Sequence, residues 1–126
     1  MNKVNLGKVL VVDDEFDLVE LAKEFLMEEG FEVASTTDSL TALELVSSFK
    51  PDIVLSDINM PKMNGLELLS EIRKNHKDLP VVLITGFIDT AMRAKADSLN
   101  VFGVINKPYK ISSVLEMTSK GINRLK

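Results

Sequence analysis

Residues 51–75 read PDIVLSDINMPKMNGLELLSEIRKN. Ile53–Ser56 is a short, nearly continuous apolar run, rich in β-branched residues, that stops at Asp57. Such a run reads as a strand buried on both faces. The turn pair Asn64-Gly65 then opens an amphipathic helical pattern over Leu66–Asn75. Outward from this unit the same alternation repeats. Further strand-like runs lie at Lys8–Val12, Phe31–Ala34, Val81–Thr85 and Phe102–Ile105. The second of these alternates apolar and polar residues and is expected at an edge.

Helical patterns separate the runs. Leu18, Leu21, Ala22 and Phe25 share one face of the first, with acidic residues in its opening turn and Gly30 as a stop. Leu40–Phe49, entered through Asp38 or Ser39, ends before Pro51. Thr90–Leu99 is Ala-rich and weakly amphipathic, so it should be the least firmly packed, and Asn100 after it can take a left-handed cap. Ile111, Val114, Leu115, Thr118 and Ile122 mark the last helix. Strict β/α alternation requires right-handed crossovers and a parallel sheet covered on both faces. The expected fold is α/β: a doubly wound five-stranded parallel sheet of order 2-1-3-4-5 with five helices, a flavodoxin-like three-layer sandwich. Function in such sheets collects at the carboxyl ends of the strands.

Four strand ends carry chemistry: Asp13-Asp14-Glu15, Asp57, Thr85-Gly86 and Lys107-Pro108. An Asp after one strand is commonly a turn or helix cap, but four such ends would meet in one cleft. Carboxylates about 4–6 Å apart repel by several kcal/mol per pair at an effective dielectric near 20, so a folded cluster protonates or takes a cation. Oxygen ligands without His or Cys point to Mg²⁺ or Mn²⁺. Lys107 supplies a point charge for a phosphoryl oxygen, Thr85 a hydroxyl donor, and Asp57 a carboxylate nucleophile able to form an acyl phosphate. Phosphoryl transfer mainly needs positioning and charge neutralisation, which this set provides.

The segments VLVVDDE, PDIVLSDINMPKMNGLELL, VVLITG and INKPY, in this order and spacing, resemble the receiver domain of two-component response regulators, the CheY-like superfamily. The resemblance covers nearly the whole chain, and its motifs are jointly specific although each is short. It implies that Asp57 accepts a phosphoryl group from a phosphohistidine on a sensor histidine kinase or histidine phosphotransfer protein. Asp13, Asp14 and Asp57 would bind Mg²⁺ with the backbone carbonyl of Asn59, Asp14 contacting the metal most directly. Thr85 and Lys107 would hold the phosphoryl oxygens, and Pro108 would follow a cis peptide. Phosphorylation would shift the conformation of the face built from the fourth helix and fifth strand, controlling a partner or output domain.

One position departs from the family pattern. Val104 stands where an aromatic ring usually turns inward, and a β-branched aliphatic cannot make that exchange. The readout then works differently or depends more on the loop after Thr85. Phe102, taken to share a strand face with Val104, and Phe87 both read as packing residues rather than substitute switches. By resemblance, Asn59 and Phe87 flank the phosphoryl group, where a bulky Phe87 would slow water's approach. Phe16, opposite the core face of the first helix, reads equally as a kinase contact or as a ring folded onto a neighbouring loop. His76 lies in the polar stretch Lys74–Asp78 and reads as solvated.

The other function classes fit less well. A haloacid-dehalogenase-like phosphatase places its Asp nucleophile in a D-x-D motif after the first strand and carries a cap domain, whereas here Asp13 and Asp14 are adjacent and Asp57 follows the third strand. A flavin carrier needs a Ser/Thr/Gly phosphate cradle where this chain has three acids. A degenerate receiver used only for binding is disfavoured by the intact Asp57, Thr85 and Lys107.

Length and composition agree with a switch rather than an output module. The 126 residues fit one receiver domain over 1–126 with no output domain. There is no Cys and so no disulfide or thiolate metal site. Mean hydropathy is +0.11, yet apolar runs reach only about four or five residues against the roughly 20 of a membrane span. The opening MNKVNLGK has no apolar export core, which makes a cytoplasmic location the expectation. A net charge of −4 with scattered basic residues argues against nucleic acid as a direct partner.

Overall fold

The computed structural model describes residues 5–123; the first four residues, on which the export reading partly rests, lie outside them. Ten elements alternate: β1 (Lys8–Val12), α1 (Phe16–Glu28), β2 (Glu32–Thr36), α2 (Ser39–Ser48), β3 (Ile53–Asp57), α3 (Gly65–Asn75), β4 (Val81–Thr85), α4 (Thr90–Ser98), β5 (Gly103–Asn106) and α5 (Ile111–Asn123). All pairings are parallel, as the alternation requires, and the sheet order is the expected β2-β1-β3-β4-β5. The alternating run is β2, at the edge.

Successive strand residues feed opposite layers. Leu10, Val12, Val54, Val81 and Leu83 pack with Ala42, Val46, Leu69, Ile72 and Ala96 of α2, α3 and α4. Val9, Val11, Ile53, Leu55 and Val82 pack with Ala22, Leu26, Val114 and Ile122 of α1 and α5. Burial of each large aliphatic contributes about 1.5–3 kcal/mol. Capping chemistry sets the helix starts. The Asp38 carboxylate accepts from the Thr41 amide, Asp89 does so from Met92, and Asn64 with Glu67 forms a reciprocal capping box. Asn100 ends the α4 turn in the left-handed region at φ 56°, as expected.

Three expectations are corrected. α1 is rolled from the predicted face: Val19, Ala22 and Leu26 are buried, whereas Leu21 is 59% exposed. Phe102 precedes β5 and packs in the α1/α5 layer, while Val104 faces the α2/α3/α4 layer, so the two do not share a face. Phe87 is not a packing residue, with 67% of its surface exposed. Phe16, at 64%, is likewise open rather than folded onto a loop. His76 is half-buried at the end of α3, where its carbonyl accepts from Arg73.

Candidate functional site

β1 and β3 are neighbours at the point where the winding reverses, so their last residues face one another. Asp13 and Asp14 follow β1, and Asp57 is the last residue of β3. One carboxylate oxygen from each lies within 4.8 Å of the others. Lys107, following β5, reaches across to Asp57 Oδ2 at 3.3 Å and Asp13 Oδ2 at 3.6 Å. The depth of the three acids differs: Asp57 is buried, Asp13 half-buried and Asp14 exposed.

This crowding has electrostatic consequences. Burial pushes the Asp13 carboxyl up to about 6; the Glu15 amide, which donates to Asp13 Oδ1 at 3.0 Å, opposes the rise, and the Asp57 charge adds to it. Burial works against the Lys107 ammonium, but the charges of Asp13 and Asp57 outweigh it and leave its pKa above the ordinary lysine value. Burial, with the Asp13 charge, also raises the Tyr109 phenol. Asp13, its carboxyl raised to about 6, is crowded by two other carboxylates, and Lys107 balances only part of their charge. Three hard oxygen donors, with no His or Cys among them, fit a divalent cation of the Mg²⁺ or Mn²⁺ kind.

The phosphoacceptor candidate is held from several sides. The Asn59 amide donates to Asp57 Oδ1 at 3.2 Å, and the Ser56 hydroxyl donates to the Asp57 carbonyl at 2.9 Å. Lys107–Pro108 is cis, as the resemblance implies. Gly86 is open: a Cβ built there meets nothing within 4 Å. Thr85 is the predicted residue whose group is turned elsewhere. Its hydroxyl donates to the Phe87 carbonyl at 2.6 Å and accepts from the Phe87 amide at 3.0 Å, closing a tight turn at the start of the β4–α4 loop.

Sequence reasoning missed two contributions. One is the Ser56 hydroxyl, whose signal was a lone polar residue inside an apolar strand immediately before the key Asp. The other is Arg73, whose guanidinium bonds the carbonyls of His76, Leu79, Leu99 and Asn100 and so ties α3 to the end of α4. An open recess of about 560 Å³, bordered by Glu24, Met27 and Glu32, lies at the opposite end of the strands and takes no part in the cluster.

Fold and pocket define the class: a doubly wound parallel domain whose strand ends gather three carboxylates, two of them paired with one lysine. Residues 9–119 match the model of the response regulator receiver domain, and the chain belongs to that family. It is 27% identical over 113 residues to sporulation initiation phosphotransferase F of Bacillus subtilis, covering 90% of this chain and 91% of the relative. It is 32% identical over 117 residues to the DNA-binding transcriptional regulator NtrC of Escherichia coli, covering 93% of this chain and 25% of that one. The crystal structure of a response regulator receiver domain protein from Clostridium thermocellum superposes with a TM-score of 0.88 at 29% identity, covering 94% and 95% of the two chains. The chain spans between a quarter and about half the length of several curated relatives it matches. It is therefore a receiver domain, of the family that serves as phosphorylation-dependent signalling switches in two-component systems.

Proposed function

We propose that Asp57 is the phosphoacceptor, served by Mg²⁺ at Asp13, Asp14, Asp57 and the Asn59 carbonyl, with Thr85 and Lys107 as the phosphoryl-holding groups. The observation that carries this reading is the convergence of Asp13, Asp14, Asp57 and Lys107 at three strand ends. An Asp57 carboxylate oxygen attacks the phosphorus of a phosphohistidine. The P–N bond breaks, the imidazole leaves with its electron pair, and an acyl phosphate forms. Bound Mg²⁺ would neutralise charge on the transferring group. Lys107 stands ready to shift its ammonium from Asp57 to a phosphoryl oxygen. The Thr85 hydroxyl can serve a second oxygen only by giving up its bond to the Phe87 carbonyl. That exchange links the site to the β4–α4 loop, a link that matters more with Val104 in the usual aromatic position. Hydrolysis of the acyl phosphate by water returns the carboxylate, so the domain's chemistry is confined to its own loading and unloading.

Receiver domains work with histidine kinases or phosphotransfer proteins on one side and output domains on the other. For this chain we read a sensor histidine kinase or histidine phosphotransfer protein as donor and an unidentified output protein or domain as target, with no direct nucleic-acid or membrane contact and a cytoplasmic location. Among the described residues no helix is long and apolar enough to cross a membrane. A dehalogenase-type phosphatase is disfavoured because the candidate nucleophile ends β3 rather than β1. Incubation with Mg²⁺ and acetyl phosphate, followed by intact-mass analysis, should add one phosphoryl group to the wild type and none to Asp57→Asn. An unmodified wild type, or a variant modified equally, would overturn the assignment.

A further inference from the structure

We propose that Ser56 is a positioning residue for the phosphoacceptor, holding the Asp57 peptide through its side-chain hydroxyl; this rests on Asp57 being the acceptor. β3 reads Ile-Val-Leu-Ser-Asp, and all five residues are buried. Ser56 itself has no exposed surface. A buried hydroxyl is destabilising unless it is bonded, and its donor goes to the Asp57 carbonyl at 2.9 Å. The β1–β3 ladder ends at Val12↔Ser56, so this bond acts just where strand pairing with β1 stops.

The same carbonyl is confined from the other side. A Cβ at Gly65 would run into the Asp57 carbonyl oxygen and lie 2.8 Å from Ile58 Cα, so the start of α3 abuts this peptide directly. The Gly65 amide donates to the Ile58 carbonyl at 2.8 Å, and the Ile58 amide donates to the Ile84 carbonyl at 3.2 Å. Asp57 thus ends its strand in a peptide held at both ends, its carbonyl by Ser56 and the Ile58 amide by β4, with the next carbonyl held by α3 and the carboxylate meeting the Asn59 amide. Loss of the Ser56 bond leaves this peptide held at its Ile58 amide, so its carbonyl end can rock and move the carboxylate relative to Lys107 and Asp13. Because nucleophilic attack depends steeply on alignment, a small loss of order here acts on rate more than on affinity.

The test compares Ser56→Ala and the isosteric pair Ser56→Thr and Ser56→Val, each assayed for phosphorylation rate by acetyl phosphate under saturating Mg²⁺, for Mg²⁺ affinity and for urea stability. Thr and Val impose the same packing change and differ only in the hydroxyl. We expect Ala and Val to lower the first-order rate about 5–20-fold with Mg²⁺ affinity within about 2-fold, and Thr to recover most of the rate that Val loses. Equal rates for Thr and Val, or a wild-type rate for Ala, would overturn the role of Ser56 while leaving Asp57 as acceptor. Failure of the wild type to accept a phosphoryl group at all would overturn the parent reading and this one together.

Discussion

Asp13 is the residue whose charge state controls the pocket. Its carboxyl is pushed up to about 6 from an ordinary 3.8. Between those values the folded protein holds a proton that the unfolded chain has released. Stability without metal therefore falls as pH rises through that window, by an amount on the order of 2 kcal/mol. Asp38 works in the opposite sense: its carboxyl is lowered by the Thr41 hydroxyl and amide, and the stability it gives above its unfolded value is lost as pH falls. Comparison with Asp13→Asn cancels Asp38. Urea titrations should show the variant gaining on the wild type between pH 4.5 and 7 without Mg²⁺, with the gap closing when Mg²⁺ is added. A pH-independent gap would contradict the Asp13 assignment. At this scale Asp13, Asp57 and Lys107 were legible in the sequence because the fold fixes where strands end. The direction of the Thr85 hydroxyl was not. A short side chain beside a loop can bond either the loop or the pocket, and only the closed turn with Phe87 decides between them.

α4 is the element held most unevenly. Ala96 alone among its residues is buried, which agrees with its weak amphipathicity. Its far end is nevertheless secured by Arg73, which bonds the Leu99 and Asn100 carbonyls at 2.6 and 2.9 Å. Arg73→Ala should destabilise the fold by about 2–4 kcal/mol, because several carbonyls lose a charged donor at once. Lys in its place should recover less than half, having no planar fork. Urea unfolding measures both, and hydrogen exchange at Leu99–Val101 should accelerate first. A Lys variant as stable as wild type would refute the fork argument. The near end of α4 is capped by Asp89 and follows the Thr85–Phe87 turn, with the Phe87 ring in solvent. If that ring closes over the acyl phosphate once Thr85 lets go, Phe87→Ala should shorten the phosphoryl lifetime several-fold; equal lifetimes would exclude such a shield. Element types were readable from apolar period alone. The roll of α1 was not, because Leu18-Leu21-Ala22-Phe25 and Val19-Ala22-Leu26 form overlapping stripes that share Ala22. Periodicity sets that there is a stripe, and contact with the sheet selects which one is used.

At the scale of the molecule, the hydrophobic layers and the acidic pocket are two outcomes of one winding pattern. The interiors of β1, β3 and β4 are nearly continuous aliphatic runs because helices cover both faces, and the same parallel order brings β1, β3 and β5 to a common end. The net charge of −4 is thus unevenly used: Asp13, Asp14 and Asp57 concentrate charge where a cation and a phosphoryl group can alter it. The central claim is that Asp57 carries the phosphoryl group. Borohydride reduction of protein loaded with acetyl phosphate and Mg²⁺ converts an aspartyl phosphate to homoserine, and peptide mapping then reads its position. The account requires homoserine at position 57 and nowhere else. Homoserine at 13 or 14, or no conversion in a protein that has gained a phosphoryl group, would contradict it.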